Sequence, residues 1–269
     1  MQTMIEWWQA VLLATVQGLS EFLPISSSGH LVLLPRLFGW TDQGLAFDVA
    51  VHVGTLLGVL VYFRRDLLPL ARGGIAFVSG DREDPHGRLA FNLIVGTIPV
   101  GVVGLLFNDV IEEKLRSPLV VAFQLAVFGI VLWLADRLSA RSRSESSLSV
   151  GQALLIGCAQ ALALVPGTSR SGITMSAALA LGLTREAAAR FAFLLAIPGI
   201  AMAGAYEGYR FFTSEGTVAV REMLIGVAVS AVVGYACIHY FLKFIARIGF
   251  APFAIYRLLL AGVIVALFY

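Results

Sequence analysis

The chain has 269 residues, 58% of them hydrophobic and 13% charged, with a formal net charge of +2. Soluble globular domains carry about 25% charged residues, so the natural solvent for this composition is a lipid bilayer. So small a net charge gives no reason to expect a nucleic-acid partner, and Cys158 and Cys237, far apart in apolar runs without metal-ligand spacing, are expected as small core residues.

The start, Met1 to Trp8, carries Glu6 and lacks a basic n-region, so insertion is expected to rely on the mature helices. Ile5 to Gly18 is apolar, but as a helix it would reach only about 21 Å, short of the roughly 30 Å hydrocarbon core. It runs into a polar tip, Gln17-Gly18-Leu19-Ser20-Glu21-Phe22-Leu23-Pro24-Ile25-Ser26-Ser27-Ser28-Gly29-His30, and out through Leu31–Phe38. Pro24 ends the incoming helix for want of an N–H, and the pattern predicts a re-entrant hairpin over 5–38. Thr41, after Gly39, predicts the N-cap of the next helix. Three stretches then suit a full crossing: Phe47–Phe63, Leu89–Phe107 and Leu119–Leu138. They close a first half, 1–138. The Ser/Arg-rich segment 139–149 predicts a solvated cytoplasmic linker.

The second half, 150–269, repeats this order. Val150 to Val165 is again too short to cross, Pro166 stops it, and the tip Pro166-Gly167-Thr168-Ser169-Arg170-Ser171-Gly172 leads out through Ile173–Leu183. That predicts a second hairpin over 150–183, with Thr184 as the N-cap of the helix after it. Ala187–Tyr206, Met223–Leu242 and Phe253–Phe268 are the remaining spans. A shift of 143 residues lays Gln9 on Gln152, Gln17 on Gln160, Ser26 on Ser169, Ser28 on Ser171 and Gly29 on Gly172. Three crossings per half invert the second half relative to the first. The expected fold is an all-α integral membrane protein with an inverted-topology repeat, six transmembrane helices and two re-entrant hairpins whose tips meet near the midplane. Arg64, Arg65, Arg72, Arg82, Arg88, Arg137, Arg141, Arg143, Arg185, Lys243 and Arg247 gather on one side. Fewer cations, chiefly Arg36, Lys114, Arg116, Arg210 and Arg221, lie on the other. By the positive-inside rule the first side is cytoplasmic, and the mouth of the first hairpin opens outward.

Arg170 is a costly charge for a membrane interior and calls for a partner. Small residues around it expose backbone N–H groups at a helix N-terminus. A forked guanidinium with the hydroxyls of Ser169 and Ser171 completes a set suited to phosphate or diphosphate. The plainer alternative is an arginine that only packs the hairpins. Glu21, one helical turn after Gln17, is a metal ligand, a proton carrier or an acid, or else a carboxylate pairing with an arginine. Gln17 itself would also serve as an interhelical amide. Ser26, Ser27 and Ser28 offer a hydroxyl nucleophile with His30 the local base, although serine runs also cap helices. Asp48 and His52 form either an outer wall of the site or an interfacial pair. Asn92, Arg190 and Arg257 are expected as partnering or anchoring groups.

On Gln17-Gly-Leu-Ser-Glu21-Phe-Leu-Pro with Ser26-Ser27-Ser28-Gly29-His30, on Pro166-Gly167-Thr-Ser169-Arg170-Ser171-Gly172-Ile-Thr174, and on Pro252-Phe-Ala-Ile-Tyr-Arg257, the chain resembles the undecaprenyl-diphosphate phosphatase family, also known as bacitracin-resistance proteins. The resemblance runs essentially end to end. It implies an inner-membrane enzyme that removes the terminal phosphate of a polyprenyl diphosphate lipid, with a divalent cation, Mg2+ or Ca2+, as cofactor; the outward mouth expected from the charges then means the periplasm. By position it makes Glu21, Ser27, His30 and Arg170 the reaction centre. Ser26, Ser28, Gly29, Gly167, Thr168, Ser169, Ser171 and Gly172 become substrate-binding, and Glu21 with Gln17 the metal site, the first motif position taking Glu or Gln. Membrane lipid is the surrounding partner, and a homo-oligomer is left open. Broken helices in inverted repeats also suit a lipid-phosphate flippase, the competing expectation.

Overall fold

The computed structural model describes residues 5–115, 117–213 and 220–269. Along them run α1 (Trp7–Ser20), α2 (Ser27–Phe38), α3 (Gly44–Tyr62), α4 (Arg64–Val78), α5 (Pro85–Lys114), α6 (Pro118–Leu138), α7 (Val150–Ala161), α8 (Arg170–Ala180), α9 (Arg185–Thr213), α10 (Val220–Ile248) and α11 (Ala251–Phe268). Short 3-10 turns at Glu145–Ser147 and Leu162–Leu164 precede and follow α7. Six of the helices contain a stretch long and apolar enough to cross a membrane: Gly44–Tyr62, Pro85–Phe107, Pro118–Leu138, Arg185–Tyr206, Val220–Ile248 and Ala251–Phe268. These match the six expected spans, the first ending one residue earlier at Tyr62 and α10 continuing further at its C-terminal end. Outward faces stay apolar, with Leu105 78% and Leu259 66% exposed. That is the surface of a protein solvated by lipid. The chain is an all-α, multi-pass membrane protein.

Local signals set the helix starts. Gln9 Oε1 accepts from the Glu6 N–H at 2.7 Å ahead of α1, and Gln152 Oε1 accepts from the Ser149 N–H at 3.1 Å ahead of α7. The two glutamines related by the sequence shift thus close equivalent capping boxes. Asp84 caps α5, and Ser117 caps α6. Thr184 caps α9 as expected, its Oγ1 accepting from Ala187 N at 3.1 Å.

Three expectations need correction. Thr41 is not a cap: α3 begins later, at Gly44 with Gln43 before it, and the Asp42 carboxylate takes the Gly44 N–H at 2.8 Å. Cys158 is exposed rather than in the core, and only Cys237 is buried; both are free thiols. The region after Phe63 holds α4, an unforeseen helix whose Leu68, Ile75 and Val78 are exposed beside arginines. Its periodicity is amphipathic and not uniformly apolar, so a search for crossings passes over it.

Several of the packing pairs recur when the two halves are exchanged. α1 packs on α10 as α7 packs on α5, α3 on α10 as α9 on α5, and α1 on α2 as α7 on α8; α3 meets α9, and α6 meets α11. Close approach of α3 and α10 depends on Gly54 and Gly58, spaced as a small-xxx-small face. A Cβ at Gly58 would stand 2.7 Å from the Ala231 carbonyl oxygen, and one at Gly54 would fall on Ser230 Oγ and the Val227 carbonyl. Backbone cannot step aside, so Gly58→Ala is expected to destabilise the protein by about 1–3 kcal/mol. Thermal unfolding in detergent checks this, with Gly262→Ala, which meets open space, as the silent control.

Candidate active site

α1 and α2 are joined by residues 21–26, and α7 and α8 by 162–169, and the two junctions touch. Ser171 Oγ donates to the Leu23 carbonyl at 3.0 Å, and the Arg170 guanidinium forms an ion pair and hydrogen bond with Glu21 Oε1. The backbone gives each junction the same form. Ser26 (φ 75°) and Ser169 (φ 70°) both occupy the left-handed region, unusual for residues with a Cβ. Each stands directly before its outgoing helix. Each hydroxyl lies 3.3 Å from that of the serine two residues on, Ser28 and Ser171. The repeat seen in the sequence is therefore a repeat of strained turn geometry.

Glu21 is the hub. Its carboxylate is buried. Oε2 accepts from Ser27 Oγ at 2.7 Å and from Gln17 Nε2 at 3.0 Å, and lies 3.8 Å from His52 Nε2. His52 belongs to this site, while its Nδ1 lies 2.7 Å from the Asp48 carbonyl; Asp48 itself accepts from Gln43 at 2.9 Å. Arg170, first residue of α8, is delivered to Glu21 by the Ser169 cap, whose Oγ accepts from Gly172 N at 3.2 Å. On the far side of the guanidinium, Gly199 leaves room: a Cβ there would sit 3.2 Å from Arg170 Nη1. His30 is turned elsewhere, its ring nitrogens 2.7 Å from the Ser26 carbonyl and 2.6 Å from the Tyr256 hydroxyl. The expected Ser27–His30 contact is thus replaced by Ser27–Glu21.

Arg257 supports both turns from below. Fully buried, it donates to the carbonyls of Gly167 and Thr168 at 2.9 Å each, Pro24 at 3.4 Å, Leu125 at 3.1 Å and Gln124 at 3.2 Å. The carbonyls of the second tip thereby face Arg257. Gly172 is glycine for the same reason, since a Cβ would come within 2.8 Å of Arg257 Nη1. Gly29, its repeat mate, is uncrowded. Of the other charged or amide groups singled out in the sequence, Arg190 pairs with Asp66 and Glu145, and Asn92 donates to the Leu148 carbonyl. His52 lies at the site, the first of the two expectations for the Asp48–His52 pair, whereas Tyr256 and the extent of Arg257's role were not assigned from sequence. An i,i+4 Asp–His pair and an arginine inside an apolar span were the available signals.

Buried acceptors without partners remain at Gln17 Oε1, Gln160 Oε1 and Thr168 Oγ1. Among the described residues no cluster of three His, Cys, Asp or Glu side chains could hold a metal by itself. Hard divalent cations need only one or two carboxylates when phosphate oxygens complete the shell, so Glu21 with the free Gln17 oxygen fits such an ion.

The bacitracin resistance protein BacA family matches residues 10–263. A protein named undecaprenyl-diphosphatase 2 from Stutzerimonas stutzeri (strain A1501) is 52% identical, over 97% of each chain. One named undecaprenyl-diphosphatase from Teredinibacter turnerae is 54% identical over 93% of this chain and 95% of its own length. Another of that name from Hahella chejuensis is 53% identical over 97% and 98%. With the match running through both turns and nearly the whole length, this chain belongs to the bacitracin resistance protein BacA family.

Proposed function

We propose that the chain hydrolyses undecaprenyl diphosphate to undecaprenyl phosphate and inorganic phosphate, returning a lipid carrier for cell-wall polymers and thereby resisting bacitracin. The observation that carries this reading is the buried Glu21–Arg170 pair with the Ser27 hydroxyl on its carboxylate. The names of relatives at 52–54% identity supply the substrate. A diphosphate entering the site competes with Glu21 for the Arg170 fork, which binds phosphate oxygens bidentately. Glu21, released from its cation, is left beside the Ser27 O–H. Ser27 Oγ then attacks the terminal phosphorus, its proton passes to Glu21, and the bond to the bridging oxygen breaks with undecaprenyl phosphate as leaving group. Water cleaves the phosphoserine in a second step, His30 taking part in proton transfer. Arg170 and the positive end of α8 stabilise charge on the transferring oxygens. A divalent cation held by Glu21, Gln17 and the substrate's own oxygens would add Lewis-acid neutralisation of that charge. The hydrocarbon tail stays in lipid between helices.

The two short helix pairs are read as re-entrant, 5–38 entering from the outer face and 150–183 from the cytoplasmic face. Halves 1–138 and 150–269 are inverted about the linker 139–149. On this reading the protein sits in the bacterial inner membrane with its site open to the periplasm. The packing pairs that recur between the halves and the cation-rich side bearing α4 and the linker support that arrangement.

Purified protein in detergent, given farnesyl or undecaprenyl diphosphate, is expected to release phosphate and to lose most of that activity on adding a chelator. A flippase needs two compartments and would release none. Ser27→Ala is expected to lower turnover at least about 100-fold. Activity within a few fold of the parent would replace the serine nucleophile by water.

A further inference from the structure

His30 is held by groups that stand apart from Glu21. A carbonyl only accepts, so the 2.7 Å contact with the Ser26 oxygen places the proton on Nδ1. Nε2 is then the bare lone pair, and the Tyr256 phenol, 2.6 Å away, donates to it. The two rings lie parallel, 5.7 Å between centroids and 5° between planes. Tyr256 arrives there in a fixed register, because the next residue, Arg257, is bonded to carbonyls of both turns and of α6. A phenol hydroxyl on an apolar transmembrane helix also needs a polar partner of its own. Arg257 thus fixes α11 against the first turn, and Tyr256 is the side chain that this register presents to His30.

We infer that Tyr256 is a positioning residue for His30, holding the imidazole in its Nδ1-protonated tautomer with Nε2 as the basic nitrogen. A phenol both donates and accepts. When Nε2 takes the phenol's proton, the Tyr256 oxygen takes one from solvent in its place and accepts from the new N–H, so the contact survives both protonation states with no heavy atom displaced. A buried aliphatic neighbour would leave Nε2 unpaired in both states, and a carboxylate would bias the ring to the cation. This rests on the hydrolytic function proposed for the chain and deepens it by one residue.

Tyr256→Phe keeps the ring and removes only the hydroxyl. Nitrogen-15 NMR of histidine-labelled protein, with His30→Gln to assign the signals, should show Nδ1 protonated and Nε2 a bonded acceptor in the parent. In Tyr256→Phe the Nε2 signal should shift toward that of an unbonded acceptor, while Nδ1 stays protonated on the Ser26 carbonyl. Turnover should fall about tenfold, a share of the roughly 100-fold or more that a placed acid–base contributes, with KM within about twofold. Tyr256→Ala should move the same way and further; where it fails to fold, the Phe variant decides. An unchanged His30 spectrum in Tyr256→Phe overturns the inference whatever the activity. So does a shifted spectrum with unchanged turnover, or a loss confined to KM. The spectrum needs no substrate, so its failure is separable from failure of the hydrolytic reading, which would appear as no phosphate release by the parent chain.

Discussion

Arg170→Gln is expected to release phosphate about 1,000-fold more slowly than the parent while inserting and folding. Phosphoryl transfer asks little covalent chemistry of a protein beyond placing charge on the oxygens that move, and removing one preorganised donor from such a site costs about 100- to 1,000-fold. Arg170 also carries the cationic end of the contact between the two turns, so its loss leaves Glu21 a buried carboxylate with a hydroxyl, an amide and the His52 ring for company. Glutamine rather than alanine keeps donors near that carboxylate and limits the unfolding penalty. Arg170→Lys preserves charge but not the planar fork, and is expected to recover no more than a tenth of parent turnover. Both variants are measured by phosphate release from purified protein, with thermal unfolding run alongside.

Arg257→Met should act on stability instead. The guanidinium is fully buried and reaches five backbone carbonyls, drawn from the first turn, the second turn and α6. Methionine fills similar volume but returns none of these bonds, and each buried acceptor left unsatisfied costs about 1–3 kcal/mol before water or relaxation repairs it. The expected net loss is about 3–5 kcal/mol, near the figure for breaking a buried charged network. Lysine is no remedy, since one ammonium cannot reach carbonyls on three elements at once. The check is the unfolding midpoint of Arg257→Met and Arg257→Lys in detergent; a midpoint equal to the parent's would show that other contacts hold the turns together.

Much of this was legible in the sequence because duplicated chemistry imposes duplicated geometry. Gln9 and Gln152 close matching capping boxes, and Ser26 and Ser169 share one unusual backbone conformation, as the 143-residue register implies. The long apolar spans follow from the thickness of the bilayer alone. The features that escaped were decided by tertiary partners. His30 is the nearest base to Ser27 in sequence, yet a turn of strained backbone carries the Ser27 hydroxyl to Glu21 instead. His52 reads equally as an outer wall of the site or as one half of an interfacial pair until α3 packs beside α1 and brings its ring to the same carboxylate. Arg257 and Tyr256 look alike as polar residues in an apolar span. Only the rotation of α11 buries the first among carbonyls and presents the second to His30. Thr41 failed as a cap because the Asp42 carboxylate, a residue later, took the free N–H at the start of α3.

The most direct test of a single site built from both turns is a double-mutant cycle on Glu21 and Arg170, read as phosphate release under single-turnover conditions. If the two side chains act as a unit, Glu21→Gln and Arg170→Gln should each lose about 1,000-fold and the double variant little more than either. Losses that multiply, or one single variant turning over near the parent rate, would contradict the shared site.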